Sequence, residues 1–335
     1  MIAAALIIVI VMPKISSAQE VAAEPKMTAT PTPLPTPTAT PVSVTLSNTM
    51  NAKISAYLTN HNIDFDSVGI YVHDITTGAE YSLNPKEYFL AASTYKLPLA
   101  VYYYEQINCG AMSLDSSVSY TTMEEIEVEP TPAPTPEATP VPAAPASSTN
   151  DAANPAQTAA PAAVEEPQPQ PTTTEIPVEH TESIRDLLHQ MVTYSDNTAA
   201  IALYDNIGGW GEYKQLVAKY STSIVSEDDK ANYYGDDNTY SPAYMNDLLQ
   251  YIYAHRSEFT TMIQDMTDAK PSSYLNGNTG TVMAQKYGSY GGAENSVGFS
   301  IEGKPYTIAI YTYQVDDGAQ VVADINEIVY NILNA

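Results

Sequence analysis

Proline placement constrains this chain more than any other feature. Six prolines lie between Pro25 and Pro41 and thirteen between Pro130 and Pro177, out of 25 in all. The surrounding residues are mostly Thr, Ala, Glu and Gln, too poor in apolar surface to offset the entropy of ordering a chain. Thr-Pro alternation favours extended polyproline II conformation, so residues 19–45 read as a linker. Such a tract spaces a domain from a membrane or wall, or is a tail without consequence. Residues 127–178 read as a disordered insertion in a surface loop, because loop closure cost grows only logarithmically with length. What remains, roughly 240 residues, is enough for one substantial core.

Ile2 to Met12 form an apolar run. A membrane span needs ~20 residues, so the run suits the apolar part of a signal peptide better. Ser16-Ser17-Ala18 supplies small residues for cleavage, but no basic stretch precedes the run. Residues 1–18 are therefore assigned to a signal peptide or anchor. No Cys follows the run, which excludes a lipoprotein anchor. An exported protein, extracellular or associated with the cell envelope, is expected, and a monomer.

The formal charge is −26, from 39 acidic and 13 basic side chains. Such a chain repels nucleic acid and anionic lipid, so neither is expected as a partner. Cys109 stands alone and makes no internal disulfide or thiolate cluster. The five His show no HxxxH or HxH spacing, so no metal site is expected. No function is read from the 26 Tyr against 4 Phe.

The globular part is expected to begin near Leu46. Ile54, Tyr57 and Leu58 have helical spacing. Ser67 to Ile75 and Glu80 to Leu83 read as strands joined by a Thr-Thr-Gly turn. Helices are predicted over 92–106, 183–192, 197–206, 211–220 and 242–254. Ser241 caps the last of these, with Pro242 in its first turn. Strands are predicted over 281–287, 295–301 and 306–313. A final helix presents Val321, Ile325, Ile328 and Ile332 on one face. This order predicts an α+β fold. An antiparallel sheet with terminal helices comes from 46–90 and 262–335, and a helical subdomain from 91–261.

Three short motifs carry the chemistry. In Ser93-Thr94-Tyr95-Lys96, residues three apart on a helix let the Ser hydroxyl and Lys amine meet. A Ser hydroxyl needs a base to become a nucleophile, and Lys serves only when its amine is neutral. Ser195-Asp196-Asn197, taken alone, is an ordinary helix N-cap. Lys286-Tyr287-Gly288, taken alone, is an edge-strand lysine with its neighbours.

Taken together, on helix, helix start and strand, the three motifs resemble the class A β-lactamase and penicillin-binding protein superfamily of serine hydrolases. Leu97-Pro98, Tyr194 to Ala200 and Thr239 to Pro242 add to the resemblance, which covers residues 46–335 apart from the insertion. The interval from Ser93 to Ser195 fits once the insertion is discounted. The resemblance implies a β-lactamase-like fold with no metal or organic cofactor. It implies Ser93 as acylated nucleophile, Lys96 as its proton partner and Ser195 as relay to the departing nitrogen. Asn197 would bind the substrate amide, and Lys286 would attract the substrate carboxylate. Tyr287, Gly288 and Ser289 would line the substrate, with the Ser93 and Ser289 N–H groups as oxyanion hole.

Two positions depart from the family. The stretch 223–238 lacks the Glu-x-x-Leu-Asn segment whose Glu activates the hydrolytic water. Glu227 is the only Glu there, as a deacylation base or as part of a solvated acidic loop with Asp228 and Asp229. Tyr287 replaces a small hydroxyl residue, and its bulk is expected to crowd a carboxylate, with Ser289 offering a hydroxyl nearby. Three functions follow: a β-lactam hydrolase, a D-Ala-D-Ala carboxypeptidase or transpeptidase, or a non-catalytic wall-associated module.

Overall fold

The structure, a computed structural model, describes residues 41–128 and 172–335. The expected signal segment and most of the linker and insertion lie outside these residues. In chain order the elements are α1 (Pro41–Asn60), β1 (Val68–Asp74), β2 (Glu80–Leu83), β3 (Phe89–Leu90), α2 (Lys96–Asn108), β4 (Ser117–Val128), β5 (Thr172–Ser183), α3 (Ile184–Thr193), α4 (Asn197–Asn206), α5 (Trp210–Val217), α6 (Glu227–Tyr233), β6 (Thr239–Tyr240), α7 (Pro242–Ala254), α8 (Thr260–Thr267), β7 (Met283–Tyr290), β8 (Ala293–Ser300), β9 (Tyr306–Thr312) and α9 (Gly318–Leu333).

The described residues fall into two compact units. One comprises 121–128 and 172–179, and the other 41–120 and 180–335. The first belongs to a two-stranded ribbon, β4 with β5. The boundaries expected for the insertion were therefore too wide. Residues 127–128 and 172–178 are strand, because Thr, Ile and Val side chains suit a pleated backbone even inside a Pro-rich context. Likewise 41–45, assigned to the linker, begin α1. Proline is tolerated in a first helical turn, where its missing N–H forfeits no bond.

In the larger unit five strands pair antiparallel in the order β2-β1-β9-β8-β7, the α+β arrangement expected. Every residue of β9 is buried, because helices cover both faces of the sheet. On one face, Met50, Ile54 and Leu58 of α1 and Val322, Ile325 and Val329 of α9 pack on Ile70, Ile308 and Ile310. On the other, Phe299, Ala309 and Tyr311 join a helical core that includes Leu97, Leu187 and Leu248. Met262 and Met266 of α8 belong to that helical core, so the helical layer runs past the expected boundary at 261. Gly69 is needed where β1 passes under α7, since an added Cβ would lie 2.8 Å from Pro242 Cγ.

Caps fix the helix starts that flank the site. Ser183 accepts the Asp186 N–H, Asp196 the Ala199 N–H and Ser241 the Tyr244 N–H. Among the described residues no helix is long and apolar enough to cross a membrane.

Candidate active site

The Ser93–Lys96 motif sits on a tightened turn rather than in the helix predicted from residue 92. β3 pairs with β6, and the chain then enters a 3-10 turn over Ala92–Tyr95 before α2 begins at Lys96. Ala92 has φ +48°, a left-handed backbone that costs a non-glycine residue ~1 kcal/mol or more. The surroundings hold that conformation in place. Asn238 Nδ2 donates to the Ala92 carbonyl at 2.7 Å, and the Ala91 N–H donates to the Asn238 carbonyl at 2.8 Å. The Thr94 hydroxyl donates to the Ala91 carbonyl at 2.8 Å, and the Tyr213 hydroxyl to the Tyr95 carbonyl at 2.6 Å. Ser93 is left partly exposed at this turn.

Lys96, three residues on, is fully buried. Its Nζ donates to the Ser195 carbonyl at 2.6 Å, to Asn197 Oδ1 at 2.7 Å and towards Ser195 Oγ at 3.4 Å. Burial pushes its pKa down to about 7, against the pull of the Asp196 carboxylate. Ser195 lies at the corner between α3 and α4 with φ +58°, which turns its carbonyl and hydroxyl towards the two lysines. Asn197 opens α4.

Lys286 comes from the edge strand β7 and is also fully buried. Its Nζ donates to Ser195 Oγ at 2.9 Å and to the Tyr287 carbonyl at 2.8 Å. Burial, and then the positive charge of Lys96, drive its pKa well below the usual lysine range. Gly288 faces the Ser93 turn: a Cβ there would lie 2.6 Å from the Ser93 nitrogen and 2.8 Å from the Ala91 carbonyl. Only glycine lets β7 lie this close. Ser93, Lys96, Ser195, Asn197, Lys286 and Gly288 thus meet in one place, although helix, corner and strand are far apart in sequence.

Three expected residues are placed differently. Tyr287 does not project as loose bulk. Its ring stacks on Tyr274 at 5.2 Å, and its face lies 4.3 Å from Lys286 Nζ. The Ser289 hydroxyl is already engaged, donating to Glu294 Oε1 at 2.7 Å. Glu227 stands in the first turn of α6 with its side chain 89% exposed, paired with Lys230 Nζ at 2.8 Å. It is a solvated helix-start acid, so it is withdrawn as a candidate base.

Sequence reasoning missed Asn238, Tyr213 and Glu294. Asn238 adjoins the recognised Thr239–Pro242 segment and could have been found from it. Tyr213 and Glu294 carry no local signal. A cavity of about 780 Å³ has Leu90, Glu87, Asp237 and Tyr313 in its lining but none of Ser93, Lys96, Ser195 or Lys286. Among the described residues, no group of three or more His, Cys, Asp or Glu is arranged to hold a metal ion.

A family model described as the Beta-lactamase enzyme family matches residues 49–137 and 159–334. The chain belongs to this family. No curated protein matches it in sequence. Solved structures share the fold. PBP-A, as a mutant in an acyl-enzyme complex with penicillin G, is 18% identical with TM-score 0.56, covering 85% of this chain and 96% of that one. TLA-1 extended-spectrum β-lactamase is 19% identical with TM-score 0.58, covering 86% and 99%. A β-lactamase from Chitinophaga pinensis is 19% identical with TM-score 0.55, covering 84% and 98%. At these identities the likeness concerns the fold.

Proposed function

We propose that this protein is a serine hydrolase of the β-lactamase type, acting through an acyl-enzyme on Ser93. The observation that carries the reading is the convergence of Lys96 and Lys286 on Ser195 Oγ beside the Ser93 turn. Neutral Lys96 takes the Ser93 proton as Oγ attacks the carbonyl carbon of a β-lactam. The N–H groups of Ser93 and Ser289 stabilise the oxyanion. When the C–N bond breaks, the nitrogen takes a proton from Ser195 Oγ, which recovers one from the lysines bonded to it. Asn197 holds Lys96 in place and offers its amide to the substrate. Water then attacks the ester and frees Ser93. This chemistry calls on no cofactor.

A second reading, acyl transfer on D-Ala-D-Ala-like peptide ends, uses the same first step. It is favoured by the surface position of Glu227, because among the described residues no carboxylate is hydrogen-bonded to Lys96, Ser195, Asn197 or Lys286. A purely binding role gives no reason to bury two lysines on one hydroxyl. We assign the enzyme to the cell exterior or envelope as a monomer, on the apolar run at 2–12 and the Pro-rich tract after it. Cell fractionation and light scattering test those two points.

Incubation with penicillin G, followed by intact-mass measurement, should add one drug mass to the protein and none to Ser93→Ala. A wild type that stays unlabelled at millimolar drug, as the acid and as its methyl ester, sinks the acyl-enzyme reading. An adduct lost within seconds supports β-lactam hydrolysis, and one that persists for hours supports the peptidase reading.

A further inference from the structure

The pocket wall beyond the catalytic lysine carries the wrong charge for a carboxylate. A substrate lying along β7 would pass Lys286, Tyr287, Gly288 and then Ser289. The cation meant to attract an anion there is Lys286, yet its Nζ is fully buried, spends its bonds on Ser195 Oγ and the Tyr287 carbonyl, and is covered by the Tyr287 ring. The next group along is acidic. Glu294 stands directly opposite Ser289 in the β7–β8 register, so their side chains share one face of the sheet.

The Glu294 carboxylate is fixed there from two sides. Oε1 accepts the Ser289 hydroxyl at 2.7 Å, and Oε2 accepts the Tyr274 hydroxyl. Tyr274 is in turn stacked on Tyr287, whose ring face lies 4.3 Å from Lys286 Nζ. The acid is therefore held by one hydroxyl on each oxygen, beside the stacked rings. It forms no salt bridge among the described residues. The chain has only two arginines: Arg185 pairs with Asp115 in the helical layer, and Arg256 lies over the Tyr253 ring just after α7. Neither is positioned to neutralise Glu294. The Ser289 hydroxyl has its proton committed to the acid, so it presents lone pairs to a ligand rather than a donor.

We propose that Glu294 is a specificity-determining residue, and that the substrate group bound against Ser289 and Tyr287 is an amide, ester or amine rather than a free carboxylate. This rests on the acyl-enzyme reading and names the substrate class of the same site. An amide or ammonium N–H would find the Glu294 and Ser289 oxygens as acceptors. A carboxylate would meet two oxygens it cannot pair with and a like charge within the same strand pair.

The test compares two probes that differ only at this group, penicillin G and its methyl ester, by rate of adduct formation on the wild type and on Glu294→Gln. Gln keeps the shape and an oxygen acceptor for Ser289 while removing the charge. The wild type should acylate with the ester roughly tenfold faster or more at equal concentration. Glu294→Gln should shrink that ratio by speeding the acid, with the ester little changed. An acid that reacts as fast as the ester in the wild type, or a ratio untouched by Glu294→Gln, overturns the assignment while leaving acyl transfer intact. Silence of both probes in folded wild-type protein overturns acyl transfer, and this inference falls with it.

Discussion

Lys96 and Lys286 share a single acceptor: the Ser195 hydroxyl lies 3.4 Å from one Nζ and 2.9 Å from the other. Two ammonium groups cannot both stay charged so close together in a buried place without large cost, so the pair favours one neutral amine. The two titrate as a coupled unit. Burial depresses both amines, with the charge of Lys96 adding to the depression of Lys286 and Asp196 opposing that of Lys96.

Acylation should therefore depend on pH in a definite direction. Lys96 accepts the Ser93 proton only when neutral, and its pKa is pushed down to about 7. The adduct-forming rate should rise from pH 5.5 and level off above about 7.5. Lys96→Ala should lower the plateau by about 10²–10⁴. A rate that falls as pH rises through 7 contradicts a neutral-lysine base.

Ser195→Ala removes the common acceptor. The leaving nitrogen loses its proton source, so acylation should fall by about 10²–10³ while affinity changes little. Stopped-flow measurement of rate against drug concentration separates the two. An effect confined to affinity would show that Ser195 only positions substrate.

Gly288→Ala should damage the site more than the fold. Its Cβ, 2.6 Å from the Ser93 nitrogen, must push β7 off the Ser93 turn and open the proposed oxyanion hole. A tenfold or larger loss of acylation with a melting temperature lowered by only a few degrees is expected. Equal acylation in mutant and wild type would remove the Ser93 and Ser289 N–H pair from the mechanism.

Stability should climb with pH to a maximum near pH 9–10. Lys214 is buried beneath Tyr233 and Tyr240, and burial lowers its pKa from 10.5 to about 7. The ring faces, 4.2 and 4.1 Å from Nζ, oppose this by favouring the cation, so the neutral form wins by less than burial alone would give. Between pH 7 and 10 the unfolded chain holds more protons than the folded one, and stability rises with pH. Above 10 the sign reverses. Buried Tyr213, Tyr240 and Tyr244 keep their phenol protons in the fold, while the unfolded chain gives them up. Lys214→Met should raise stability by about 1–2 kcal/mol at pH 6 and flatten the rise. Denaturant midpoints at pH 6 and 9 decide this, and a mutant less stable at both would show the cation is wanted.

Glu227→Gln should leave the lifetime of the acyl-enzyme unchanged, since its carboxylate pairs with Lys230 at the surface. Mass measurement over time checks this; a longer-lived adduct would restore it as the water-activating base.

The sequence by itself determined every element whose ends carry their own chemistry. Asp196 and Ser241 cap α4 and α7, so both helices begin and end at the residues predicted, and runs of β-branched and aromatic residues placed β1 and β9 within two residues at each end. Motif order alone also indicated which hydroxyl and amines to watch. Elements without local signals were decided by tertiary structure. The ribbon of β4 and β5 depends on pairing across a long intervening stretch, and the 3-10 start at Ala92 depends on Asn238 bonding its carbonyl. The partners of Ser289 and Tyr287 carry no local signal for the same reason. A side chain's chemistry is set by what it touches, and Glu294 and Tyr274 come to them only when the sheet and its neighbouring turn assemble.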